Sequence, residues 1–354
     1  MNREKVLIFV SFFVLIAGAT GLYFVYKQRS PSIPVSTPVS VNSNDSASPK
    51  NFTGTFYLSL VPNNDTLPLG IYSYNLDNKS WTRVLVDNNV GVKDYSANIS
   101  PVVSNDGSFM VFARRENVLT NKDGSKFEIY TSALDGRNLK QITNATGRFK
   151  RDLAIDNSNK LIAYVVQQES SATNIDPVLP ESWVVYLTDL NGNVSRVADG
   201  TNPLFSPDGK KLLILQNNGL HLFDISNYKK PQQIGLVSPT VDGRASQTMK
   251  ISLSRDGNMM AWSSVNKKNV VISKINSWDI FSISPFKVIN APAYWSVFSN
   301  DGKYLAVMKI KISKAGNDYG VISVYDINAK GDINKQVLSL GGYDEKYVWF
   351  GVWR

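Results

Sequence analysis

Four stretches of the chain repeat one pattern, in which a polar turn leads into a run of apolar residues. The repeats read SNDGSFMVF (104–112), SPDGKKLLIL (206–215), SRDGNMMAW (254–262) and SNDGKYLAV (299–307). Each begins with Ser-x-Asp-Gly, where Asp and Gly favour a tight turn, and ends in strand-forming residues. A strand–turn–strand unit that recurs about every 50 residues predicts a β-propeller.

Two further strand patterns recur in step with these turns. The second strand of each blade, B, is predicted at 56–61, 110–115, 161–166, 212–216, 259–264 and 304–309. The third strand, C, is predicted at 71–77, 129–135, 185–191, 220–226, 270–276 and 322–328. No stretch after residue 30 keeps a helical apolar period. The sequence therefore predicts an all-β fold, a six-bladed propeller of four-stranded antiparallel blades.

The two ends of the propeller are expected to share one blade. The first blade lacks a preceding strand A, and KYVWFGVWR (346–354) resembles the A strand AYWSVFS (293–299). A C-terminal strand in the first blade gives 24 strands and leaves no open sheet edge. In the third blade the turn reads Asp156-Asn157-Ser158-Asn159, and Asn tolerates the left-handed backbone that Gly supplies elsewhere.

The N-terminal segment has the features of a membrane-targeting sequence. Residues 6–26 form an uncharged apolar run of 21 residues between Lys5 and Lys27, long enough to span a bilayer. An uncleaved signal anchor is favoured, because GLYFVY continues the run beyond the small-residue site at 17–19; a cleaved signal peptide is the alternative. We expect an N-terminal signal anchor or transmembrane helix at 1–28, a disordered Ser/Pro/Thr stalk at 29–50 and the propeller at 51–354.

Composition excludes several kinds of chemistry. The chain has no cysteine and one histidine, His221, so disulfides, thiolate metal sites and His-rich metal centres are excluded. The formal net charge of +9 is spread over the chain without a dense Lys/Arg run, which argues against a nucleic-acid partner. We expect no metal and no cofactor.

The repeat units resemble a known family. SPDGKKLLIL and IYTSALDGRNLKQIT (129–143) look like the TolB-type, WD-like propeller repeats of bacterial periplasmic proteins. The resemblance covers about residues 52–354 and implies a six-bladed ring that works outside the cytoplasm, often as a platform for protein interactions. TolB proper carries an extra N-terminal α/β domain, which a predicted anchor and stalk replace here, so its role in the Tol system is not carried over.

Catalytic motifs are absent from the sequence. There is no G-x-S-x-G elbow and no H-E-x-x-H motif. His221 alternates with apolar neighbours, which is typical of a structural imidazole, and Asp189 begins a turn rather than a calcium loop. Asp152 is the clearest acidic residue on a segment expected to face the channel. These observations argue against enzymatic activity, but they do not decide whether the protein is an enzyme.

Long loops indicate where binding would occur. The loops from B to C and from D to A are expected to share one face of the ring, and several are long. We expect a positively charged rim there and aromatic side chains near the channel. The predicted binding residues are Arg114, Arg115, Arg148, Lys150, Arg151, Arg244, Tyr294 and Trp349. For the aromatic residues, including Trp295 and Trp353, packing between blades is the competing interpretation.

Two functions are consistent with these features. The first is a single-pass membrane protein with a cytoplasmic N-terminus and a propeller in the periplasm or at the cell surface, which binds an extracytoplasmic protein or peptide. The second is binding of an anionic polysaccharide or cell-wall polymer in the channel, with or without hydrolase or lyase activity. A spacer without a dedicated ligand is a third interpretation.

Overall fold

A computed structural model describes most of the chain after residue 51. The described residues are 52–61, 70–86, 97–115, 127–144, 150–167, 183–216, 219–237, 240–241, 244–245, 251–263, 269–291, 293, 295–312, 318–330, 334–339 and 347–354. All of them belong to the second of two compact units, Lys50–Arg354. Within these ranges there is no α-helix, and so none with the length and apolarity that crossing a bilayer requires. The predicted anchor (1–28) and stalk (29–50) lie outside the described residues.

The strands form six four-stranded antiparallel sheets, which are the blades. Blade 1 contains β1 (Thr55–Val61), β2 (Gly70–Asn75) and β3 (Ser80–Leu85). Blade 2 contains β4 (Ala97–Val103), β5 (Met110–Arg115), β6 (Glu128–Ser132) and β7 (Lys140–Gln141). Blade 3 contains β8 (Lys150–Ile155), β9 (Leu161–Gln167), β10 (Trp183–Asp189) and β11 (Val194–Asp199).

The second half of the chain continues the pattern with one addition. Blade 4 contains β12 (Thr201–Phe205), β13 (Lys211–Gln216), β14 (Gly219–Asp224) and β15 (Gln232–Val237). A short hairpin, β16 (Thr240–Val241) and β17 (Arg244–Ala245), follows and was not predicted. Blade 5 contains β18 (Ile251–Leu253), β19 (Met259–Ser263), β20 (Val270–Ser277) and β21 (Ser282–Ile289). Blade 6 contains β22 (Trp295–Phe298), β23 (Tyr304–Ile312), β24 (Asp318–Asp326) and β25 (Asn334–Ser339).

The last strand, β26 (Tyr347–Trp353), closes the ring by joining blade 1. It pairs antiparallel with β1, so that Phe56 lies opposite Trp353. The Trp353 ring is buried 5.1 Å from the Phe56 ring, and its Nε1 donates a hydrogen bond to the Thr53 carbonyl at 3.1 Å. The predicted closure and the six predicted blades are therefore confirmed.

The hydrophobic core lies between the blades. The described residues contain six apolar clusters, and each is shared by two neighbouring blades. In the cluster between blades 6 and 1, for example, Trp295 packs with Phe56 and Leu58. Because every blade uses both faces for packing, the B and C strands have almost continuous buried runs, and binding groups are left to the strand ends and the channel.

The repeated turn is held together by its own serine and aspartate. In each of the four Ser-x-Asp-Gly turns the Ser hydroxyl donates to the Asp carboxylate at 2.6–2.7 Å. The glycines Gly107, Gly209, Gly257 and Gly302 have φ between 68° and 74°, in the left-handed region. In blade 3, Asn159 takes this conformation with φ 60°, as the sequence predicted. Asp156 stands in the serine position there and accepts hydrogen bonds from the backbone of Lys160 and Leu161.

Acid should destabilise the propeller through these turn aspartates. The pKa of Asp106 is lowered to about 2 by hydrogen bonds from the Ser104 hydroxyl and then from Ser108. In Asp208, Asp256 and Asp301 burial raises the carboxyl pKa, but hydrogen bonds led by that of the turn serine outweigh it and leave the pKa lowered. A depressed folded-state pKa adds stability above the unfolded pKa of about 3.9, and this stability is lost as the pH falls through the folded value.

We therefore expect the urea midpoint to fall between about pH 4 and about pH 2. A variant with all four turn aspartates changed to Asn keeps an acceptor oxygen but cannot titrate, so its midpoint should fall less over this range. Urea unfolding followed by circular dichroism at a series of pH values measures the midpoints of the wild type and of the variant. An equal fall in the two proteins would assign the acid sensitivity to other carboxylates.

Candidate functional site

The strand directions place several charged residues at one end of neighbouring blades. Strand A ends, and strand B begins, at the end of the blade that carries the A–B turn. The start of strand A and the end of strand B therefore lie at the other end of the blade, where the long loops begin. Arg114 and Arg115 end β5, Lys150 and Arg151 begin β8, and Trp183 begins β10. Four of the predicted residues, Arg114, Arg115, Lys150 and Arg151, therefore lie at the loop end of blades 2 and 3, together with Trp183, which was not predicted.

Arg114 is held in place by a buried asparagine and an aromatic ring. Its Nη1 donates to Oδ1 of Asn98 at 3.1 Å, and Asn98 in turn donates to the Leu85 carbonyl at 3.2 Å. The Arg114 guanidinium lies 5.8 Å from the centre of the Tyr130 ring, within the range of a cation–π interaction. Arg114 is half-buried, so its charge is fixed in position and still reaches solvent.

Arg151 of β8 stacks on Trp183 of β10, across the intervening strand β9 of blade 3. Its guanidinium carbon lies 3.9 Å from the centre of the buried Trp183 ring, and its Nε lies 3.5 Å from the Asp152 carboxylate. Asp152 is buried on a β-bulge with φ 48°, and Ser100 and Asn202 occupy the same left-handed position in blades 2 and 4. Bulges turn side chains away from the regular alternation of a strand. The Arg151 side chain is 20% exposed.

Lys150 was predicted to belong to an exposed positive rim, but its side chain is buried. The side chain is 0% exposed and its Nζ lies 3.2 Å from Glu128, so the pair joins blade 3 to blade 2. Glu128 also accepts a hydrogen bond from the Thr143 hydroxyl. Burial lowers the pKa of Lys150, while the charge of Glu128 opposes the shift. Lys150 therefore supports the two blades and is not a surface contact.

The remaining predicted residues are placed only in part. Arg115 is half-buried at the end of β5. Arg148 and Tyr294 lie outside the described residues, and for Arg244 in β17 and Trp349 in β26 only the backbone is described. These four remain predictions. Trp295 and Trp353 are buried in one core cluster, which confirms the packing interpretation for both.

The described residues offer little for metal or acid–base chemistry. They include no group of three or more His, Cys, Asp or Glu side chains that could hold a metal ion. His221 is buried on β14, and burial lowers its pKa although a hydrogen bond with Gln233 opposes the shift. A buried imidazole between apolar strands is consistent with the structural role that its sequence context predicted.

A cavity of about 230 Å³ occupies the axis of the ring at the end of the A–B turns. Its lining includes the residue two positions before the A–B turn in blades 2 to 6 and, in blade 1, Gly351. These residues are Val102, Ala154, Leu204, Ser252, Val297 and Gly351. They are apolar apart from Ser252, but Ser100 also lines the cavity, and the hydroxyls of Ser100 and Ser252 are buried without a hydrogen-bond partner among the described residues.

The mouth of this cavity is formed by the second residue of the A–B turn in blades 2 to 6 and by Arg354, which occupies the matching position after β26, in blade 1. We call this set the turn ring, and it consists of Asn105, Asn157, Pro207, Arg255, Asn300 and Arg354. Arg255 of blade 5 donates to the side chain and carbonyl oxygens of Asn105 in blade 2, both at 2.9 Å, and to Oδ1 of Asn300 at 2.6 Å. Blades 5 and 2 are opposite one another in a six-bladed ring, so the Arg255 side chain crosses the mouth.

Other hydrogen bonds of the turn ring connect neighbouring blades. Arg354 donates to the Val103 carbonyl at 2.7 Å and to Asn300 Oδ1 at 3.5 Å. Asn105 Nδ2 lies 3.5 Å from the Asn157 carbonyl, and Asn157 Nδ2 donates to the Pro207 carbonyl at 2.8 Å. The sequence analysis assigned no role to the residues of the turn ring. A signal was present in the sequence, because two of the six residues are arginines and none is acidic.

Comparison with known proteins places the fold but not the activity. No family model and no curated protein sequence matches the chain. TolB from Acinetobacter baumannii is similar in structure, with 16% sequence identity, a TM-score of 0.59, and coverage of 86% of this chain and 67% of that chain. A chain of a nidogen/laminin complex matches with 10% identity, a TM-score of 0.52, and coverage of 82% and 93%.

An enzyme is about as similar in structure to this chain as the nidogen/laminin chain is. Oligogalacturonate lyase from Vibrio parahaemolyticus matches with 11% identity and a TM-score of 0.50, over 78% of this chain and 75% of that chain. At such identities a structural match establishes the fold alone, since propellers carry many functions. The described part of the chain is a six-bladed β-propeller whose fold is similar to that of TolB.

Proposed function

We propose that this propeller binds a protein or peptide partner through the loop end of blades 2 and 3. The observation that carries the proposal is the pair of arginines held over aromatic rings there, Arg151 on Trp183 and Arg114 on Tyr130. We call Arg114, Arg115 and Arg151 the basic cluster. Arginine and aromatic residues contribute most of the binding energy in many protein interfaces.

The described charges at this end favour an acidic partner. Among the described residues, four cations, Arg114, Arg115, Lys150 and Arg151, lie near two carboxylates, Glu128 and Asp152, which leaves two positive charges in excess. The ion pairs engage Lys150 and Arg151, and hydrogen bonding and stacking fix the direction of Arg114. A guanidinium already fixed in position loses less conformational entropy on binding than one free in solution.

Placement outside the cytoplasm is part of the same proposal. The apolar run at 6–26 and the Ser/Pro/Thr segment at 29–50 support a membrane anchor and a stalk that present the propeller in the periplasm or at the cell surface. The N-terminus would then be cytoplasmic. Protease accessibility is the direct test. A propeller at the cell surface is cleaved in intact cells, a periplasmic one is cleaved only after the outer barrier is opened, and a propeller that stays protected in both cases would contradict the proposal.

The binding proposal is tested with two matched double variants. R114Q/R151Q removes two positive charges from the basic cluster, and K210Q/K229Q removes two from exposed turns at the other end of the ring. Full-length protein is cross-linked in native membranes, its partner is identified by mass spectrometry, and the Kd is then measured with both purified proteins. We expect R114Q/R151Q to weaken binding at least about tenfold, since loss of one interface anchor is worth about 1–2 kcal/mol or more.

The control variant and the possible outcomes decide whether the partner binds at the basic cluster. K210Q/K229Q should keep the wild-type Kd and the wild-type thermal transition. R114Q/R151Q removes the cation beside the buried Asp152 carboxylate, so its transition should fall, and circular dichroism must show that it is folded at the temperature of the binding assay. An unchanged Kd in R114Q/R151Q would move the binding surface elsewhere on the ring. The absence of any partner, together with direct binding of polygalacturonate to the wild type, would favour the alternative of an anionic glycan, and assays for lyase or hydrolase products would follow.

A further inference from the structure

Two arginines of the turn ring lie together without an acidic partner. Arg255 Nη1 and Arg354 Nη1 lie 2.6 Å and 3.5 Å from the same atom, Asn300 Oδ1. The two nitrogens therefore cannot be farther apart than the sum of these distances. No ion pair to either arginine occurs among the described residues, and the other members of the turn ring are Asn and Pro. Two positive charges thus share one neutral acceptor at the mouth of the axial cavity.

Both guanidinium groups keep donors that the described residues do not use. A guanidinium carries five N–H bonds. Arg255 makes three hydrogen bonds and Arg354 makes two, so two donors on Arg255 and three on Arg354 are left over. One of these, Nε of Arg354, is buried and has no acceptor in the structure. Leaving a buried charged donor without an acceptor is costly, and an acceptor brought by a ligand would relieve the cost.

The nearby charges reinforce this conclusion. Burial lowers the pKa of Arg354, the charge of Arg255 lowers it further, and Asp106 partly opposes the shift. The carboxylate of Asp106 is engaged inside its own turn, where it accepts from the hydroxyls of Ser104 and Ser108. The positive potential at the mouth is therefore reduced by Asp106 without being neutralised through a direct contact.

The geometry points to an oxyanion-binding site in which Arg255 and Arg354 together hold one phosphate, sulfate or carboxylate group at the mouth of the axial cavity. The planar fork of a guanidinium matches two oxygens of such a group, and two forks on one anion give both charge and orientation. A purely structural role explains the three hydrogen bonds by which Arg255 crosses the mouth. It does not explain why a second arginine stands beside it with a buried Nε lacking an acceptor. This site lies at the opposite end of the ring from the basic cluster, so the two proposals fail independently.

The site is tested by calorimetric titration of the full-length protein with inorganic phosphate at constant ionic strength. We expect one phosphate to bind to the wild type, with binding weakened about tenfold or more in R255Q and in R354Q. K210Q removes one positive charge from an exposed position in the A–B turn of blade 4 without touching the turn ring, and should bind as the wild type does. A second titration with glutarate distinguishes a preference for carboxylate from one for the tetrahedral anion.

The outcomes separate a site from a general charge effect. Wild-type binding that R255Q leaves unchanged, equal losses in K210Q and R255Q, or no binding of either anion to the wild type would overturn the proposal. If R255Q or R354Q does not fold, the arginine Nε–H signals of the wild type are followed by nuclear magnetic resonance during the titration. Shifts confined to two arginine signals support the site, and shifts spread over many arginines contradict it.

Discussion

Deletion of residues 347–354 is expected to abolish the soluble, folded propeller. Without β26 the strand β1 loses its partner along Phe56–Val61 and becomes an open edge, which invites pairing with other chains. The cluster between blades 6 and 1 also loses the buried Trp353 ring. Truncation of a buried aromatic residue to Ala alone costs about 3–5 kcal/mol. Loss of the whole strand therefore approaches or exceeds the total stability of an ordinary domain, about 5–15 kcal/mol.

A graded series makes this expectation quantitative. W353A should lower the melting temperature strongly while the chain remains soluble, and the deletion should yield aggregate in size-exclusion chromatography. W81A is the matched control, because Trp81 lies on the outer strand β3 of the same blade and is only partly buried. A deleted protein that melts like the full chain would show that the ring stays closed without its last strand.

Replacement of Glu128 by Gln is expected to destabilise the propeller by about 3–5 kcal/mol, because it leaves the buried ammonium of Lys150 without a counter-charge. K150M should lower the free energy of unfolding by less than E128Q does. Glu128 is 14% exposed and keeps the hydrogen bond from Thr143, so its carboxylate remains partly compensated. The double variant E128Q/K150M removes both charges and should recover much of the loss. Urea unfolding of the four proteins gives the coupling energy of the pair.

The same pair predicts a dependence on pH. The pKa of Lys150 is lowered from its ordinary value of 10.5, so between the folded and unfolded values the unfolded chain binds more protons. Stability contributed by this group therefore rises with pH through that window. In E128Q the pKa should fall further, so the penalty of this variant should be smaller at about pH 10 than at about pH 7. A penalty that is independent of pH would mean that Lys150 is already neutral or reaches solvent.

The fold was predictable because its signals are local. Ser-x-Asp-Gly specifies a turn through contacts within five residues, such as the bond from Ser104 to Asp106, and the alternating strands on either side need no knowledge of distant residues. Asn159 shows the same logic, since its tolerance of a positive φ could be inferred from residue type alone. The closing strand was recognisable because β26 carries the pattern of an A strand at a place where one was missing.

The candidate sites depended on contacts that no local pattern contains. The charge and position of Lys150 suggested a surface cation, but Glu128 lies across a blade boundary and draws it into the interior. Arg255 and Asn105 are separated by 150 residues and meet only because their blades face each other. The position of Arg255 in the repeat was visible in the sequence, whereas the number of blades between it and its acceptor had to be known before its role could be seen.

The closure of blade 1 also determines the order in which this protein can fold. Thr53 and Trp353, which share a hydrogen bond, are 300 residues apart in sequence. At a synthesis rate of about 5–20 residues per second, β1 must wait roughly 15–60 s for its final neighbour. During that delay the nascent chain presents an unpaired strand edge, and contacts of such long range also slow folding after synthesis. The interval before β26 is synthesised is therefore a period in which the unpaired edge of β1 is open to mispairing.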